Sequence, residues 1–269
     1  MSTTLLIPAA TENGYSISLT TDPIDIEHAE RLRYQLFAEE MGAGLPNAVR
    51  GEHTGEMIDI DQFDDHCDHM VARSESTGQV VGCFRLLPPH GAKAAGGYFT
   101  DTIFEFSDGL DAARPTLFEL GRAAVHSEHR SGAVMGLLWA GVLKYQELNG
   151  YEYAIGCASV RMEDGGPRGS LVRRVRDFAY SFNLSDPELR VTPKNPVDVD
   201  GRGLDDIADP GRGVKIPPMV QGCLRIGGAV CGPPSYDSDF DMADFVILIT
   251  RSKLNHRYLQ RMTEAALAR

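Results

Sequence analysis

The 269-residue sequence lacks the features that mark several specialised classes of protein. It contains no apolar run long enough to span a bilayer, and it does not begin with the basic residues and long apolar stretch of a signal peptide. Its five cysteines are scattered and form no C-x-x-C pair, which argues against a disulfide framework or a zinc ribbon. We therefore predict a cytoplasmic protein whose cysteines are reduced thiols.

Positive charge is also scarce in this chain. Lys and Arg together number 26 against 38 Asp and Glu, so the formal net charge is -12. Nucleic-acid binding needs clustered cations at the phosphates, and this composition argues against a general nucleic-acid-binding protein. The remaining composition, with 42% hydrophobic and 24% charged residues, is typical of a globular chain that forms one large domain or two small ones.

Hydrophobic periodicity predicts a chain in which strands and helices alternate. The predicted helices cover 25–41, 134–149, 168–182 and the residues from about 253 onward. The predicted strands cover 69–73, 79–87, 117–125, 151–158, 220–230 and 245–250. Residues 1–20 are interpreted as a variable lead-in, and 161–215 as a helical and loop insertion, because strands resume after it. The whole of 1–269 is thus predicted to form a single domain.

The predicted strand 117–125 carries two charged residues on either side of a glycine. In a regular strand Glu119 and Arg122 would point to opposite faces, because successive side chains alternate. A bulge at Gly121 would turn both charges to one side and leave backbone N–H groups unpaired. Such N–H groups stabilise the oxyanion of an acyl-transfer intermediate. On this strand alone, a surface Glu and Arg on an edge strand is an equally good interpretation.

The residues after this strand predict an anion-binding turn at the start of a helix. The run is Arg130-Ser131-Gly132-Ala133-Val134. Small residues let the backbone approach a ligand closely, and a helix N-terminus favours negative charge. An ordinary Ser-Gly helix start is the alternative, and the position directly after the strand favours the functional interpretation.

This strand, turn and helix resemble the GNAT superfamily, whose Arg/Gln-x-x-Gly-x-Gly/Ala turn binds the pyrophosphate of coenzyme A. The resemblance implies an α+β fold with three layers, α/β/α, a mixed and mostly antiparallel central sheet, and a helical and loop insertion. In this sequence Ala133 and Met135 occupy glycine positions of the turn. The altered turn favours acyl-carrier protein as the donor over coenzyme A, because acyl-carrier protein presents only a phosphopantetheine arm. It also disfavours a small-group acetyltransferase that uses acetyl-CoA.

Further motifs resemble two families of acyltransferase. Four motifs of the acyl-homoserine-lactone synthases occur in order: Arg33 with Phe37, Asp61 with Asp64, Gly82-Cys83-Phe84-Arg85-Leu86-Leu87-Pro88, and Glu119 with Arg122. Over about 25–250 the chain is identified as a member of the ornithine N-acyltransferase family, which makes the first intermediate of ornithine lipids. The shared runs are Phe63-Asp64-Asp65-His66-Cys67-Asp68-His69, Glu119-Leu120-Gly121-Arg122, Arg130-Ser131-Gly132-Ala133-Val134, Gly156-Cys157-Ala158-Ser159 and Leu224-Arg225-Ile226-Gly227.

The resemblance implies a role for each matched residue. Glu119 would accept the proton of the substrate amine, and Arg122 would hold Glu119 or bind the substrate carboxylate. The acceptor, an amino acid such as L-ornithine, would be bound by Arg33, Phe37, Asp61, Asp64 and Arg85. The phosphopantetheine arm of the donor would be bound by Ala124, Val125, Arg130, Ser131, Gly132, Ala133 and Val134. A long-chain or 3-hydroxyacyl group would pass to the α-amine without a bound cofactor, a metal or a covalent intermediate.

Other reactive side chains have plainer interpretations. His66, Cys67 and His69 stand in an acidic run that matches neither an EF-hand nor a standard zinc pattern, so a solvated turn is favoured. Cys157 has no general base placed by the sequence, which favours a structural thiol over a nucleophile.

A basic patch is predicted on the helix 168–182. It consists of Arg168, Arg173, Arg174 and Arg176. Acyl-carrier proteins and bacterial inner-membrane surfaces are both acidic, so the patch is a docking hypothesis for either contact. An ordinary solvated helix is the alternative.

Two other functions stay open. A synthase of N-acyl-homoserine-lactone or N-acyl-amino-acid autoinducers would use a similar chain, but the lactone product requires S-adenosylmethionine and a lactonisation step that no residue here specifically indicates. A non-catalytic acyl-binding module on the same scaffold is the alternative of another class, and the presence of both Glu119 and Arg122 argues against it.

Overall fold

The computed structural model describes residues 3–12, 14–164, 166–211 and 213–267. Contacts divide the chain into two compact units. The first consists of Met1–Gly96, Phe118–Tyr151 and His256–Arg269, and the second of Gly97–Leu117 and Glu152–Asn255. The single domain over 1–269 stays a prediction.

Strands and helices alternate along the chain, as the periodicity predicts. The strands are β1 (Thr3–Ile7), β2 (Tyr15–Thr20), β3 (Val49–Arg50), β4 (Met57–Ile58), β5 (Asp68–Ser74), β6 (Val80–Leu87), β7 (Phe104–Phe106), β8 (Leu117–Val125), β9 (Tyr153–Arg161), β10 (Val191–Pro193), β11 (Asp198–Val199), β12 (Arg202–Gly203), β13 (Gly228–Val230), β14 (Ser235–Asp237) and β15 (Met242–Thr250). The α-helices are α1 (Pro23–Tyr34), α2 (Pro89–Ala95), α3 (Phe99–Ile103), α4 (Asp108–Ala112), α5 (Ala133–Asn149), α6 (Ser170–Phe182), α7 (Pro218–Arg225) and α8 (His256–Leu267). Among the described residues, no helix is both long and apolar enough to cross a membrane.

The first unit is built on antiparallel strands in the order β1-β2-β5-β6-β8. β1 and β2 lie within 1–20, so the predicted lead-in is corrected: it supplies two strands of the sheet. β2 pairs with β5 along its whole length, from Tyr15 opposite Ser74 to Thr20 opposite His69. Ile17 of β2 is fully buried, so packing against the rest of the unit stabilises a strand that its own sequence signals only weakly.

Helix α1 covers one face of this sheet. The side chain of Asp22 caps the helix by accepting a hydrogen bond from the N–H of Ile24, three residues before the predicted cap at Asp25. Ala29 and Leu32 of the helix pack on Val71, Cys83 and Ala124 of the strands. After Tyr34 the helix continues as a π-helical turn over Gln35–Glu40, within the predicted range.

The long helix α5 packs closely on the same strands. Small residues permit the approach, because a Cβ at Gly82 of β6 would lie 2.6 Å from Val134 Cγ1. A Cβ at Gly141 of α5 would lie 2.7 Å from Ile17 Cγ2. The helix predicted over 134–149 is confirmed, and it begins one residue earlier.

The second unit contains antiparallel strands in the order β9-β15-β13, with β14 also paired to β15. The strand predicted over 220–230 is corrected: α7 ends at Arg225, and only Gly228–Val230 is a strand. Pro217 and Pro218 start this helix, and its buried residues Val220, Cys223 and Leu224 recur at helical spacing. Within the segment interpreted as an insertion, α6 begins at Ser170, two residues after the predicted start at Arg168.

Candidate active site

Strand β8 contains a bulge at the predicted place. Cys83 of β6 pairs with Ala124, and Arg85 pairs with Gly121, so two residues of β8 stand opposite Phe84 alone. The left-handed residue of the bulge is Arg122, with φ of 52°, rather than Gly121. A residue with a Cβ rarely adopts this conformation. The bulge redirects the side chain of Arg122, and several ion pairs then hold it.

The arginines and aspartates predicted around the acceptor form one buried network. Arg33 of α1 is only 1% exposed. Its guanidinium donates to Asp59 Oδ2 over 2.9 Å and to the two carboxylate oxygens of Asp64 over 2.7 and 3.0 Å. We call Arg33, Asp59 and Asp64 the closed end of the network. Arg33 is therefore enclosed within the network, where its guanidinium is paired with two carboxylates.

The other end of the network reaches the surface. Arg85 Nη1 lies 2.6 Å from Asp61 Oδ1, and Arg122 Nη2 lies 3.0 Å from Asp61 Oδ2. The side chains of Asp61 and Arg122 are 11% and 22% exposed. The guanidinium carbon of Arg122 lies 5.8 Å from the centre of the Phe37 ring. We call Asp61 and Arg122 the open end, because these two charged side chains are the accessible ones in the network.

The charge state of the network is fixed by its own contacts. Burial opposes the ionisation of Asp64, but the hydrogen bond from Arg33 and the charges of Arg33 and Arg85 outweigh it and hold the pKa of Asp64 well below its usual range. Burial likewise disfavours charged Arg33 and Arg85, yet the aspartates raise the pKa of both. Arg33 and Arg85 are thus cationic and face the ionised Asp64.

Glu119 lies beside this network on β8. It is 5% exposed and pairs in register with Leu87 of β6, two positions from Gly121, which pairs with Arg85. Because residues two apart share a face of a strand, Glu119 is on the face of Gly121 and Arg85. A Cβ on Gly121 would lie 4.0 Å from Arg85 Nε, so that guanidinium covers the glycine.

Cys67 adjoins the same carboxylates. Burial raises the pKa of Cys67 to about 12, and the negative charges of Asp64, Asp61 and Glu119 add to this effect while Arg85 opposes it. The thiol is therefore neutral at physiological pH, as is usual for a structural cysteine.

The predicted donor turn is part of the first unit as well. Gly132 has φ of 93° and provides no side-chain cap for α5, so the N–H groups of the first turn are left for another acceptor. The side chains of Ala124, Val125, Ala133 and Val134 are buried, so only their backbone is available to a ligand. Ser131 is exposed at the tip.

Hydrogen bonds and an ion pair hold this turn. Arg130 Nε donates to the carbonyl of Val125 over 2.9 Å, and Arg130 Nη1 lies 2.8 Å from Glu40 Oε2. His129 Nδ1 lies 2.9 Å from the hydroxyl of Tyr15. Arg130 is therefore neutralised by Glu40, and the backbone of the turn is the better candidate for a phosphate ligand.

The predicted basic patch is paired with acidic side chains of the second unit. Arg168 contacts Asp241, Arg173 contacts Asp177, Arg174 lies 3.9 Å from Asp209, and Arg176 contacts Asp177 and Asp205. The positive charge expected for docking is therefore largely compensated within the chain.

Sequence reasoning missed Asp59. It stands two residues before Asp61 in the same acidic segment. This spacing is the only signal in the sequence that the two side chains point the same way. Its burial between two arginines could not be predicted, because the partners come from α1 and β8.

The fold and these residues define a class of protein. The sequence model described as the acetyltransferase (GNAT) domain matches residues 32–140. The CoA-dependent acyl-homoserine lactone synthase BjaI, solved with SAM and isopentyl-CoA, shares the fold with a TM-score of 0.51 and 14% identity, covering 98% of this chain and 90% of that chain. The predicted GNAT-like α+β fold is confirmed, and the protein is a GNAT-type acyltransferase.

Relatives among characterised proteins narrow the class. The L-ornithine N(alpha)-acyltransferase of Rhizobium meliloti is 30% identical over 263 residues, covering 90% of this chain and 81% of that protein. The enzyme of the same name from Rhodobacter capsulatus is 26% identical and covers 95% of this chain and 97% of that protein. The chain belongs to the L-ornithine N(alpha)-acyltransferase family, and it is an amide-forming acyltransferase.

Proposed function

We propose that this protein transfers a long-chain fatty acyl group, including 3-hydroxyacyl groups, from acyl-carrier protein to the α-amine of L-ornithine, in the synthesis of an ornithine lipid. The observation that carries the proposal is the position of Glu119 on the face of β8 opposite Arg85, the arginine that pairs with Asp61 of the open end. This position supports Glu119 as a carboxylate base close to groups that suit both charges of an amino acid.

The acceptor is bound at the open end. Arg122 presents a planar guanidinium, which fits the two oxygens of the substrate carboxylate. Asp61 offers a carboxylate for an ammonium group of the acceptor, and Phe37 borders this pair through its contact with Arg122. Asp64, Arg85 and Arg33 lie deeper and hold Asp61 in place.

Glu119 performs the proton transfer. An α-amine is mostly protonated at neutral pH, and it attacks a thioester only after it loses a proton. Glu119 accepts that proton directly or through a water molecule. The amine nitrogen then forms a bond with the thioester carbonyl carbon. Collapse of the tetrahedral intermediate breaks the carbon–sulfur bond, and a proton from the attacking nitrogen passes to the sulfur, which leaves as the thiol.

Backbone N–H groups stabilise the negative charge of this intermediate. The bulge interrupts the β6–β8 ladder at Arg122 and Ala123, just before Ala124 and Val125. An unpaired N–H group at such a bulge would stabilise the oxyanion. The start of α5 at Ala133 and Val134, without a side-chain cap, provides N–H groups for the phosphate of the pantetheine arm. Glycine positions filled by Ala133 and Met135 favour this single phosphate over the pyrophosphate of coenzyme A.

The test is a matched panel of donors and acceptors. The purified protein is incubated with acyl and 3-hydroxyacyl thioesters of acyl-carrier protein and of coenzyme A, each with L-ornithine, L-lysine, glycine or S-adenosylmethionine. Mass spectrometry then identifies the amide. We expect N(alpha)-acyl-ornithine from acyl-carrier protein. A product formed only from acyl-CoA would refute acyl-carrier protein as the donor. A lactone formed from S-adenosylmethionine would refute the proposed function and identify an autoinducer synthase instead.

A further inference from the structure

Asp59 lies where the closed end of the network meets the open end. Its side chain is 3% exposed. Its Oδ2 atom lies 2.9 Å from Arg33 Nε and 3.2 Å from Arg122 Nε. Its backbone carbonyl also accepts a hydrogen bond from Arg33 Nη2. One carboxylate oxygen thus faces two guanidinium groups, and only Arg122 of these two is accessible from outside.

The backbone of Arg122 makes this contact important. A left-handed arginine within a strand is uncommon, and such conformations persist where the surroundings hold them. The Nε atom of Arg122 is buried and has no aligned hydrogen-bond acceptor among the described residues, so its contact with Asp59 is an ion pair. Asp61 holds one Nη group, and Asp59 holds the opposite side of the guanidinium.

We propose that Asp59 is a positioning residue for acyl transfer, which orients the guanidinium of Arg122 toward the acceptor carboxylate and acts only through Arg122. The inference rests on the proposed function, because it takes Arg122 as the group that binds the acceptor. Asp59 itself touches no substrate, since it is enclosed by the two arginines.

The network allows the charge of Asp59 to be removed without dismantling the closed end. In Asp59→Asn, Arg33 keeps both hydrogen bonds to Asp64 and the bond to the backbone carbonyl of residue 59. The amide oxygen of the new side chain can still accept from Arg33 Nε. What disappears is the negative charge beside Arg122 Nε.

The first experiment compares Asp59→Asn with Asp65→Asn. Asp65 is an exposed aspartate of the same acidic segment, so its variant is a matched control. We expect the KM for L-ornithine to rise about tenfold in Asp59→Asn, which is the loss typical of one interaction with a charged group. The KM for the acyl donor should match that of Asp65→Asn, whereas the thermal midpoint should fall, because a buried charge between two arginines is lost. An unchanged KM for ornithine overturns the proposal. An equal rise in the KM for ornithine and the KM for the acyl donor also overturns it, because that pattern marks a purely structural residue.

A double-mutant cycle tests the statement that Asp59 acts through Arg122. In an Arg122→Gln background, Asp59→Asn should cause no further change in kcat/KM for ornithine. Additive losses would show an independent role and overturn the proposal. If Asp59→Asn does not fold, Arg122→Lys tests the same contact, because it keeps the charge but removes Nε; a wild-type KM for ornithine in that variant overturns the proposal.

Failure of this inference differs from failure of the proposed function. If the wild-type protein acylates no ornithine in the panel, the function is refuted. If the wild-type protein is active and Asp59→Asn behaves like Asp65→Asn, the function stands and only the role of Asp59 is refuted.

Discussion

Arg122 donates a hydrogen bond to Asp61 over 3.0 Å, although the two residues are 61 positions apart in the chain. The contact exists because the bulge in β8 turns Arg122 out of the regular alternation and toward the acidic segment before β5. Arg85, on the neighbouring strand β6, holds the other oxygen of Asp61. A local irregularity in one strand therefore assembles the accessible part of the site.

Glu119→Gln should abolish most acyl transfer while the protein stays folded. Glutamine keeps the size of the side chain but cannot accept a proton from the amine. We expect kcat to fall by about 10²–10⁴-fold, the range typical of a lost general base. Steady-state kinetics with saturating donor and ornithine measure this effect. Glu105→Gln, on the exposed side of β7, is the matched control, and a wild-type kcat for Glu119→Gln would remove Glu119 as the base.

Much of this site was predictable because its residues lie in regular elements with strong periodicity. The strands 69–73, 79–87 and 117–125 are confirmed with small shifts in their ends, and they fix the relative positions of Arg85 and Glu119. The bulge was predictable from Gly121, although the strained conformation falls on Arg122.

The remaining parts depend on tertiary packing that one sequence does not display. β1 and β2 are short and amphipathic only in part, and pairing with β5 stabilises them. The short helices α2, α3 and α4 lie in a segment for which no element was predicted. Burial of Arg33 and Asp59 requires contacts across three elements, so the distinction between closed and open ends emerges only from the structure.

Glu30 should make the stability of the protein depend on pH. Burial raises the pKa of Glu30 to about 7; Arg33 opposes this effect, while Asp64, Glu27 and Asp59 add to it. The folded protein therefore binds more protons than the unfolded chain between about pH 4.5 and pH 7. Stability falls as the pH rises through this range and stays lower above it.

Glu30→Gln should remove this dependence. At about pH 8 the variant should be more stable than the wild type by on the order of 3 kcal/mol, and the difference should vanish below about pH 4.5. Denaturant unfolding at both pH values measures the free energy of unfolding. Glu52→Gln, at an exposed position, should change nothing, and equal stability of Glu30→Gln and wild type at pH 8 would contradict the assignment.

Neither half-buried cysteine should be required for catalysis. Cys67 lies beside the network with its pKa raised to about 12, so its thiol is a poor nucleophile. Cys67→Ala and Cys157→Ala should each retain kcat within about threefold, because the direct attack of an amine needs no acyl-enzyme. Rapid mixing should also show no burst of released thiol before the amide forms. An acylated cysteine trapped by mass spectrometry would refute the direct mechanism.

Gly91→Ala should destabilise the protein and disturb acceptor binding together. A Cβ at this position in α2 would lie only 3.2 Å from Leu87 Cδ1 and would clash with the carbonyl oxygen of His66. His66 ends the turn Asp64–His66, so relief of the clash displaces Asp64. We expect a loss of roughly 1–3 kcal/mol in the free energy of unfolding, typical of overpacking, and a higher KM for ornithine.

A second glycine provides the control for this variant. A Cβ on Gly44 would meet no atom within 4 Å, so Gly44→Ala should leave both the stability and the KM unchanged. Wild-type stability of Gly91→Ala would mean that the turn shifts freely, and the position of Asp64 would then not depend on α2.

Charge reversal on α6 should not weaken the use of acyl-carrier protein. Arg173 donates to the carbonyl of Ile207 over 2.7 Å and pairs with Asp177, so its charge is committed within the second unit. Replacement of Arg173 and Arg174 by Glu should therefore lower the thermal midpoint, because these contacts are lost and new carboxylates face Asp177 and Asp209. The KM for acyl-carrier protein, measured at low and high salt, should stay at the wild-type value. A large rise in this KM at low salt, with kcat and the ornithine KM unchanged, would instead establish α6 as the docking surface, since steering by exposed charge is screened by salt.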